Sequence, residues 1–451
     1  MKKHSFIMSA LLLTSVFTAF SQVKPNAEIT FIGTESFMIK NNDKKVLIDA
    51  LYSYPVGNGI DNAETFVNDM IQKGESPFDK SDLYFVTHTH PDHYSIGMIK
   101  TYLVNNPQSV FVGDSTTRTS TLTSEAGDRM FSLKPQKYGS VDTTINGINF
   151  TGYNLKHDNA YPLYNLGYWI DINGLKIFHT GDNTLEDTTE YINSGLLDKQ
   201  IDIAFLNNNA LLKSKTNSEF FKRHLKAKCI ILMHVSMADV KNVRNRVANL
   251  GEGFPPILVF GGSMEKLIVN DSIYFSNLMP EKKGTMKDTL INKNDKVNIE
   301  IPVLFSDPDE GDEITYSLSN LPKGLTFDNS TMTITGIAEK AGKFTVKILG
   351  IDKGYSSNST TFKITVQETA GTGMKETNDN YIYPNPANSE IWFSNLSEES
   401  NSIQIFNLNG RKVLDQSIFT NPIDITTLEK GVFVVKLSNK EKVTCYNLIK
   451  E

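Results

Sequence analysis

The sequence predicts an α/β domain followed by two all-β domains. Between residues 25 and 277, short apolar strands alternate with helical patterns at 63–73, 96–105, 218–227 and 238–250. After about residue 280 the helical pattern disappears, and alternating apolar and polar segments separated by Pro, Gly and Asp take its place. Alternation of strands with helices is typical of layered α/β folds, and short strands between turn residues are typical of β-sandwiches.

Length, charge and cysteine content limit the classes of protein to which this chain can belong. A chain of 451 residues is longer than a single hydrophobic core usually supports, so we expect two to four domains. The formal net charge of −6 and the absence of a long Lys/Arg cluster argue against a nucleic-acid surface. Cys229 and Cys445 are the only cysteines and fall in different predicted domains, which excludes a disulfide framework.

The first residues have the pattern of a secretory signal peptide. Lys2 and Lys3 precede an apolar run over 6–20, and small residues follow it. We therefore expect residues 1–21 to be removed before Gln22. No later apolar run is long enough to span a bilayer, so the sequence predicts no transmembrane segment.

The most informative segment follows the apolar strand 83–86 and reads His88-Thr89-His90-Pro91-Asp92-His93. Side chains two residues apart in an extended segment point the same way, so His88 and His90 can approach one ion. Pro91 suits the first turn of a helix, which would turn Asp92 and His93 back toward a second ion. The segment therefore predicts two adjacent metals.

Other polar residues follow predicted strands in the same α/β region. His157, Asp182 and His234 each come after an apolar strand, and ligands grouped at strand ends are what a layered α/β enzyme offers to a site. Residues 207–209, three asparagines after the strand 201–206, are expected to face the metals. His179 precedes Asp182 by three residues, and it either supports a ligand or has a structural role.

The order of these residues resembles the metallo-β-lactamase superfamily, in which H-x-H-x-D-H is followed by a distant His, a bridging Asp and a final His. The closer resemblance is to the branch containing the ascorbate-phosphate lactonase and N-acyl-phosphatidylethanolamine phospholipase D enzymes, through segments 32–34, 46–49, 166–168 and 179–182. It implies an αββα sandwich for residues 25–277. Related enzymes often carry a His after the first-strand glycine, whereas this chain departs from that pattern with Gly33-Thr34-Glu35-Ser36.

The resemblance implies seven metal ligands in two groups that share one bridging carboxylate: His88, His90 and His157 for the first ion, Asp92, His93 and His234 for the second, and Asp182 between them. Asp92 and Asp182 are also the expected catalytic carboxylates. Imidazole and carboxylate ligands suit two zinc ions, and they also admit manganese or iron. A bridged pair lowers the pKa of a shared water, so the resulting hydroxide attacks without a protein nucleophile.

The segment 295–367 predicts a β-sandwich with strands at 297–301, 315–318, 332–334, 343–350 and 361–366. Its acidic run 306–313 resembles the cadherin-like, immunoglobulin-type domains of bacterial surface proteins. The clustered carboxylates there either bind calcium or form a solvated acidic loop.

A stretch rich in Gly, Thr and charge predicts a linker at 368–380. Beyond it, residues 381–451 open with Tyr383-Pro384-Asn385-Pro386, continue through Asn409-Gly410-Arg411 and end with further short strands. This pattern resembles the C-terminal sorting domain of the type IX secretion system. The resemblance implies that the secretion machinery is a partner and that the protein is secreted or held at the cell surface. The alternative is a second adhesion module.

We therefore expect an exported metal-dependent hydrolase that cleaves an ester, lactone or phosphodiester bond in a small-molecule or lipid-like substrate. One alternative is a surface-binding or adhesion protein in which the metal domain is catalytically retired. Another is a β-lactam hydrolase, which is disfavoured because Asp182 occupies a point where common lactam-cleaving relatives use Cys or differ. The short spacing from His157 to His234 leaves no room for the inserted domain of RNA-processing relatives.

Overall fold

The computed structural model describes residues 27–53, 61–121, 123, 126–158, 163–368, 381–394, 402–417, 421–438 and 443–451. The expected signal peptide at 1–21 lies outside these residues, as does the expected linker beyond residue 368. Among the residues described, no helix is both long enough and apolar enough to cross a membrane.

The N-terminal part contains the strands β1 Ala27–Gly33, β2 Ser36–Asn41, β3 Lys44–Ile48, β4 Leu83–Phe85, β5 Val110–Gly113, β6 Met130–Ser132, β7 Ser140–Ile145, β8 Ile148–Lys156, β9 Tyr164–Ile172, β10 Leu175–His179, β11 Ile201–Asn207, β12 Ala227–Met233, β13 Ile257–Leu258, β14 Lys266–Val269 and β15 Ile273–Asn277. Its helices are α1 Thr65–Lys73, α2 Ile96–Asn105, α3 Ser115–Thr121, α4 Thr189–Asn193, α5 Asn208–Leu212, α6 Lys215–His224 and α7 Val240–Ala248, with a 3₁₀ turn at Leu196–Asp198.

These strands form two mixed sheets that pack face to face. The first has the order β15-β14-β1-β2-β3-β4-β5-β6, and the second has the order β13-β12-β11-β10-β9-β8-β7. Aromatic rings join the sheets, with ring centroids 4.6 Å apart for Phe37 and Phe205 and 4.8 Å apart for Phe85 and Tyr168. The buried core between the sheets draws on both of them, as expected for strands that expose one apolar face inward.

Helices cover the outer face of each sheet. One outer core joins the first sheet to α1 and α2 through buried residues such as Val67 and Ile99. Another joins the second sheet to α4, α6 and α7 through residues such as Tyr191, Phe221 and Val243. The four layers confirm the expected αββα sandwich.

Helix boundaries differ from the sequence expectation where capping decides them. The helix expected at 218–227 is α6, which starts at Lys215 because the Ser214 hydroxyl accepts a hydrogen bond from the Asn217 amide at 3.1 Å. It ends at His224 because the chain must extend to enter β12. The helix therefore begins and ends three residues closer to the N-terminus than the sequence predicted.

The C-terminal part is all-β, as expected. Its first group of strands is β16 Glu281–Lys282, β17 Thr289–Asn292, β18 Lys296–Glu300, β19 Phe305–Ser306, β20 Thr315–Ser319, β21 Leu325–Asp328, β22 Thr333–Ile337, β23 Gly342–Ile351 and β24 Ser357–Gln367. Sheets β17-β24-β23-β20 and β18-β22-β21 enclose one apolar core, which is the arrangement of a β-sandwich.

The second group is β25 Ile382–Tyr383, β26 Glu390–Phe393, β27 Ser402–Asn407, β28 Lys412–Gln416, β29 Ile423–Asp424, β30 Gly431–Ser438 and β31 Val443–Lys450. Sheets β25-β26-β29 and β28-β27-β30-β31 share a core formed by residues from Ile382 to Leu448. This small domain therefore has a hydrophobic core of its own.

The β-sandwich packs directly against the N-terminal domain. Lys347 on β23 pairs with both carboxylate oxygens of Glu64, at 2.8 and 2.9 Å, just before α1. At the junction of the two domains, the Asn277 amide donates to the buried carboxylate of Asp352 at 3.0 Å. Polar contacts at two separate places therefore fix the sandwich to the first domain.

Candidate metal centre

The motif that begins at His88 follows β4, and a buried carboxylate fixes its first residues. Asp49, directly after β3, accepts hydrogen bonds from the Thr87 amide at 2.9 Å and from the Thr87 hydroxyl at 2.7 Å. Its Oδ2 also accepts from Nδ1 of His93 at 2.8 Å. Asp49 therefore connects the start and the end of the motif.

The segment after His90 is a single turn and not the start of a helix, which corrects the expectation from Pro91. The amides of His93 and Tyr94 both bond to the His90 carbonyl, at 3.0 and 2.9 Å. The turn does not continue because the next amide, that of Ser95, bonds to the Leu51 carbonyl at 3.0 Å. The side chains of Asp92 and His93 still turn back toward the motif, as expected.

Asp182 lies at the centre of the imidazole cluster. Its Oδ2 is 3.0 Å from Nε2 of His157, 3.6 Å from Nε2 of His93 and 3.9 Å from Nε2 of His88. Its Oδ1 is 3.7 Å from Nε2 of His234. Segments that follow three strands, β4, β8 and β12, therefore bring four imidazoles to the carboxylate that follows β10.

The remaining two candidates join the same cluster. The His90 ring lies 4.8 Å from the His88 ring and 4.7 Å from the His157 ring, measured between centroids. Asp92 Oδ2 lies 3.8 Å from Nε2 of His234. The structure thus brings all seven residues singled out from the sequence into one site.

The candidate ligand atoms fall into overlapping groups within which all atoms lie within 4.8 Å of one another: His88, His90, His157 and Asp182; Asp92, His93 and Asp182; and Glu35, Asp182 and His234. Asp182 belongs to every one of these groups. The first group is rich in nitrogen, and the other two are rich in oxygen. A divalent ion held by nitrogen and oxygen ligands fits each group.

Buried atoms without hydrogen-bond partners also fit metal binding. Within the described part of the chain, Nε2 of His88 and Nε2 of His93 are buried and make no hydrogen bond. Thr87 Oγ1 donates to Asp49, so it accepts from Nδ1 of His88 at 3.0 Å, which leaves Nε2 free to coordinate. A buried polar atom without a partner costs about 1–3 kcal/mol, and a cation removes that cost.

The electrostatics of the site suit coordination. Burial and the neighbouring His93 lower the pKa of His88 well below its usual range, so this imidazole is neutral. Burial alone would raise the pKa of Asp182, but the charge of His234 and the neighbouring imidazoles of His157 and His93 hold it well below its usual range. Neutral imidazoles and ionised carboxylates are the forms that bind metal ions.

His93 has the opposite behaviour. Burial opposes its charged form, yet the nearby Asp182 carboxylate, the hydrogen bond with Asp49 and the charges of Asp49 and Glu35 raise its pKa well above its usual range. On the Nε2 side of this ring, carboxylate oxygens of Asp182, Glu35 and Asp92 lie 3.6, 3.7 and 4.0 Å away and attract positive charge. A divalent ion supplies that charge in place of a proton.

Glu35 is a site residue that sequence reasoning missed. It lies in the turn between β1 and β2, its side chain is fully buried, and its Oε2 is 3.7 Å from Nε2 of His93. An isolated glutamate in a two-residue turn carries no metal-binding signature, so no signal in the sequence identified it. Asp49 was missed as well, although it follows an apolar strand in the same way as Asp182.

The three asparagines after β11 have different roles. The Asn207 amide reaches the metal centre and donates to Asp182 Oδ1 at 2.5 Å and to Glu35 Oε1 at 3.1 Å. Asn208 donates to the backbone carbonyl of His234, and Asn209 is exposed. Only the first of the three faces the cluster.

His179 has a structural role. The Gly181 amide donates to its Nδ1 at 3.1 Å, so its Nε2 carries the proton and donates to the Glu35 carbonyl at 2.9 Å. Burial lowers the pKa of His179 to about 4, which keeps the ring neutral. Its ring therefore ties the Glu35 turn to the loop that carries Asp182.

Three family models match the chain. Residues 28–234 match the beta-lactamase superfamily domain, residues 282–367 match an Ig domain, and residues 381–451 match the secretion system C-terminal sorting domain. The first match covers the whole set of candidate ligands. The last two confirm the expected immunoglobulin-like and sorting domains.

Solved structures with similar folds include metallo-hydrolases. Igni18, a metallo hydrolase from Ignicoccus hospitalis KIN4/I, is 16% identical with a TM-score of 0.41, and the alignment covers 55% of this chain and 100% of that one. The metallo-beta-lactamase fold protein YhfI from Bacillus subtilis is 14% identical with a TM-score of 0.39, covering 56% and 100%.

Curated relatives match a short part of the chain. The serine-rich adhesin for platelets from Staphylococcus aureus (strain N315) is 35% identical over 69 residues, which is 15% of this chain and 3% of the adhesin. The homologue from strain MRSA252 is 33% identical over 69 residues, which is 5% of its length. The chain thus spans only a few per cent of the length of these relatives.

The match over residues 28–234 and the two packed sheets between outer helices agree on the first domain. The fold implies divalent metal binding, and a His/Asp cluster lies at the expected strand ends. The C-terminal match indicates export to the cell surface or the medium. The chain therefore contains a beta-lactamase superfamily domain with the metallo-β-lactamase fold, an Ig-like domain and a type IX sorting domain.

Proposed function

We propose that the N-terminal domain is a metal-dependent hydrolase with a two-metal centre. In this proposal the seven ligands divide as follows: His88, His90 and His157 hold the first ion, Asp92, His93 and His234 hold the second, and Asp182 lies between the two. The observation that carries the proposal is the position of Asp182, whose two oxygens lie 3.0–3.9 Å from four imidazoles. Zinc is the first candidate ion, and manganese and iron are alternatives.

The two ions, when bound, lower the pKa of a water molecule and stabilise negative charge on the attacked group. The residues of the chain supply orientation. Asp49 holds His93 through Nδ1, and Asn207 fixes one oxygen of Asp182. Such outer contacts determine ligand direction and strengthen metal binding.

Asp92 and Asp182 are the proposed catalytic carboxylates. Both are almost fully buried, and both lie within 4 Å of Nε2 of His234. The His234 side chain is 28% exposed, so this side of the cluster is open to solvent. In this proposal a substrate enters here and meets both carboxylates, which orient the attacking water.

The proposed reaction is cleavage of an ester, lactone or phosphodiester bond in a small-molecule or lipid-like substrate. The proposal rests on the resemblance of segments such as 179–182 to the lactonase and phospholipase D branch, and on a site that needs no protein nucleophile. A β-lactam substrate is an alternative of the same reaction class. The nitrogen and oxygen ligands serve all of these reactions, because each proceeds through a developing oxyanion.

We further propose the division of the chain into a signal peptide at 1–21, the hydrolase domain at 25–277, the β-sandwich at 295–367, a linker at 368–380 and the sorting domain at 381–451. In this scheme the signal peptide carries the chain across the inner membrane, and the type IX machinery recognises the last domain.

Adhesion is the second candidate function, with the metal domain catalytically retired. The short match to the serine-rich adhesins supports a binding role for part of this exported protein. The complete ligand set supports hydrolysis instead, because a retired site has no need of seven converging ligands.

A substrate screen tests the proposal. The purified full chain is stripped with chelator, reloaded separately with zinc, manganese or iron(II), and assayed on aryl phosphodiesters, acyl esters, lactones and β-lactams. We expect turnover of one of the first three classes, lost on stripping and restored on reloading. A chain that binds about two ions but turns over none of these substrates would favour adhesion.

A further inference from the structure

The acidic side of the metal centre contains one carboxylate that the proposed ligand set does not use. Glu35 is fully buried, and only one of its oxygens, Oε1, receives a hydrogen bond from Asn207, at 3.1 Å. In the described structure its other oxygen, Oε2, is buried and makes no hydrogen bond. A buried carboxylate oxygen that accepts no hydrogen bond is costly, so its position requires an explanation.

The backbone holds the Glu35 turn over the centre from two sides. The His234 amide donates to the Thr34 carbonyl at 2.9 Å, and His179 Nε2 donates to the Glu35 carbonyl at 2.9 Å. Thr34 has a positive φ of 45°, a conformation that an L residue adopts at some cost. The turn is thus fixed by its neighbours in a geometry that directs Glu35 inward.

The unpartnered oxygen lies at the end of a series of neighbouring ligand atoms. Glu35 Oε2 is 3.7 Å from Nε2 of His93, which is 4.0 Å from Asp92 Oδ2, which is 3.8 Å from Nε2 of His234. Nε2 of His234 is in turn 3.7 Å from Asp182 Oδ1. Ligand atoms that each lie about 2.0–2.2 Å from one ion are separated by roughly 3–4 Å, so these spacings suit a shared cation.

We propose that Glu35 is a ligand of the second metal position and makes this position select a harder divalent ion, such as manganese, than the first. The inference rests on the proposed two-metal centre. On the acidic side, two overlapping groups share Asp182: Asp92, His93 and Asp182 form one, and Glu35, Asp182 and His234 form the other. Together they offer three carboxylates and two imidazoles to the second position, whereas the first position has three imidazoles and the shared Asp182. Carboxylate ligands suit manganese, and imidazole ligands suit zinc, copper, iron and nickel.

The decisive variant is Glu35→Gln, which removes the charge but keeps the shape and the acceptor for Asn207. Metal-free full chain is titrated with manganese and with zinc by calorimetry, and the metal retained after gel filtration is measured by mass spectrometry. We expect the wild type to bind two ions. We expect Glu35→Gln to keep one ion and to bind manganese at the second position at least about tenfold more weakly, since loss of even an outer contact costs roughly 10- to 100-fold.

The matched control is Glu265→Gln, which neutralises another buried glutamate of the same domain. Glu265 accepts hydrogen bonds from the backbone amides of Gly261 and Met279 and belongs to none of the ligand groups. We expect this variant to bind two ions with wild-type affinities. The comparison separates loss of a ligand from a general effect of removing a buried charge.

A second substitution, Glu35→His, tests which metal the second position prefers. It also keeps the inference testable if Glu35→Gln does not fold. Glu35→His restores a donor but supplies nitrogen, so we expect the second ion to return with the zinc-to-manganese affinity ratio raised at least about tenfold. Near-ultraviolet circular dichroism establishes that each variant is folded. An unchanged ratio in Glu35→His would overturn the inference.

The outcomes distinguish the inference from the proposed function. Two ions bound with wild-type affinity by Glu35→Gln would overturn the role of Glu35 and leave the two-metal hydrolase standing. A wild-type chain that binds no ion would instead overturn the two-metal centre itself, and the role of Glu35 with it.

Discussion

Asp182 connects every group of candidate ligands, so the spacing of the whole centre depends on one carboxylate. Replacing it with Ala removes the oxygens that lie between His88, His93, His157 and His234. We expect Asp182→Ala to retain at most one ion and to lose at least a hundredfold in turnover, because neither ion then keeps its position. Metal analysis and rate measurement on the same sample provide the check, and wild-type turnover in the variant would refute the assignment.

His179 makes the stability of the fold depend on pH. Its pKa is about 4 when folded and near the ordinary 6.5 when unfolded, so between these values the unfolded chain binds more protons. The contribution of the neutral His179 ring to the free energy of unfolding is therefore complete above pH 6.5. It declines as the pH falls toward 4, by about 3 kcal/mol in total.

The corresponding variant is His179→Asn, which titrates no proton. We expect the metal-free wild type to lose more stability than metal-free His179→Asn between pH 7 and pH 4.5, as measured by urea unfolding. Equal pH slopes in the two proteins would contradict the buried neutral state of this ring. Removing the metal from both proteins keeps the ligand protonation the same in the comparison.

The elements that carry the site illustrate what a sequence can predict. His88, His157 and Asp182 each follow an apolar strand, and strand ends that meet at one edge of a layered fold bring their side chains together. Glu35 escaped prediction because its approach to His93 depends on how β1 and β2 pair and on the backbone contacts of their two-residue turn. The prediction of a helix starting at Pro91 was wrong because it, too, depended on contacts distant in sequence. A hydrogen bond from the Ser95 amide to the Leu51 carbonyl ends the turn.

Helix α6 owes its first turn to a side-chain cap. The Ser214 hydroxyl accepts from the Asn217 amide at 3.1 Å, which satisfies one of the free amides at the start of the helix. We expect Ser214→Ala to reduce the free energy of unfolding by about 1 kcal/mol, with metal stoichiometry unchanged because α6 carries no ligand. Chemical denaturation gives the first quantity and mass spectrometry the second. A loss of metal in this variant would show coupling between α6 and the centre.

The last domain is expected to act as an export signal that is independent of catalysis. Its core is built from its own residues, between Ile382 and Leu448, and every proposed ligand lies between His88 and His234. Deleting residues 380–451 should leave turnover of the purified enzyme unchanged and trap the protein in the periplasm of the native host. Cell fractionation with intact-mass analysis measures the location. Normal amounts of truncated protein outside the cell would refute the sorting role and favour a binding module.

The contact between Lys347 and Glu64 has a practical consequence for dissecting this chain. Glu64 immediately precedes α1, and nearby Asp61 accepts a hydrogen bond from the Met237 amide, three residues after His234. The β-sandwich thus braces a segment at the rim of the metal centre. A fragment cut at residue 280 exposes that surface, whereas one ending at Gln367 keeps it covered, so the longer fragment is the smallest unit suited to expression and crystallisation.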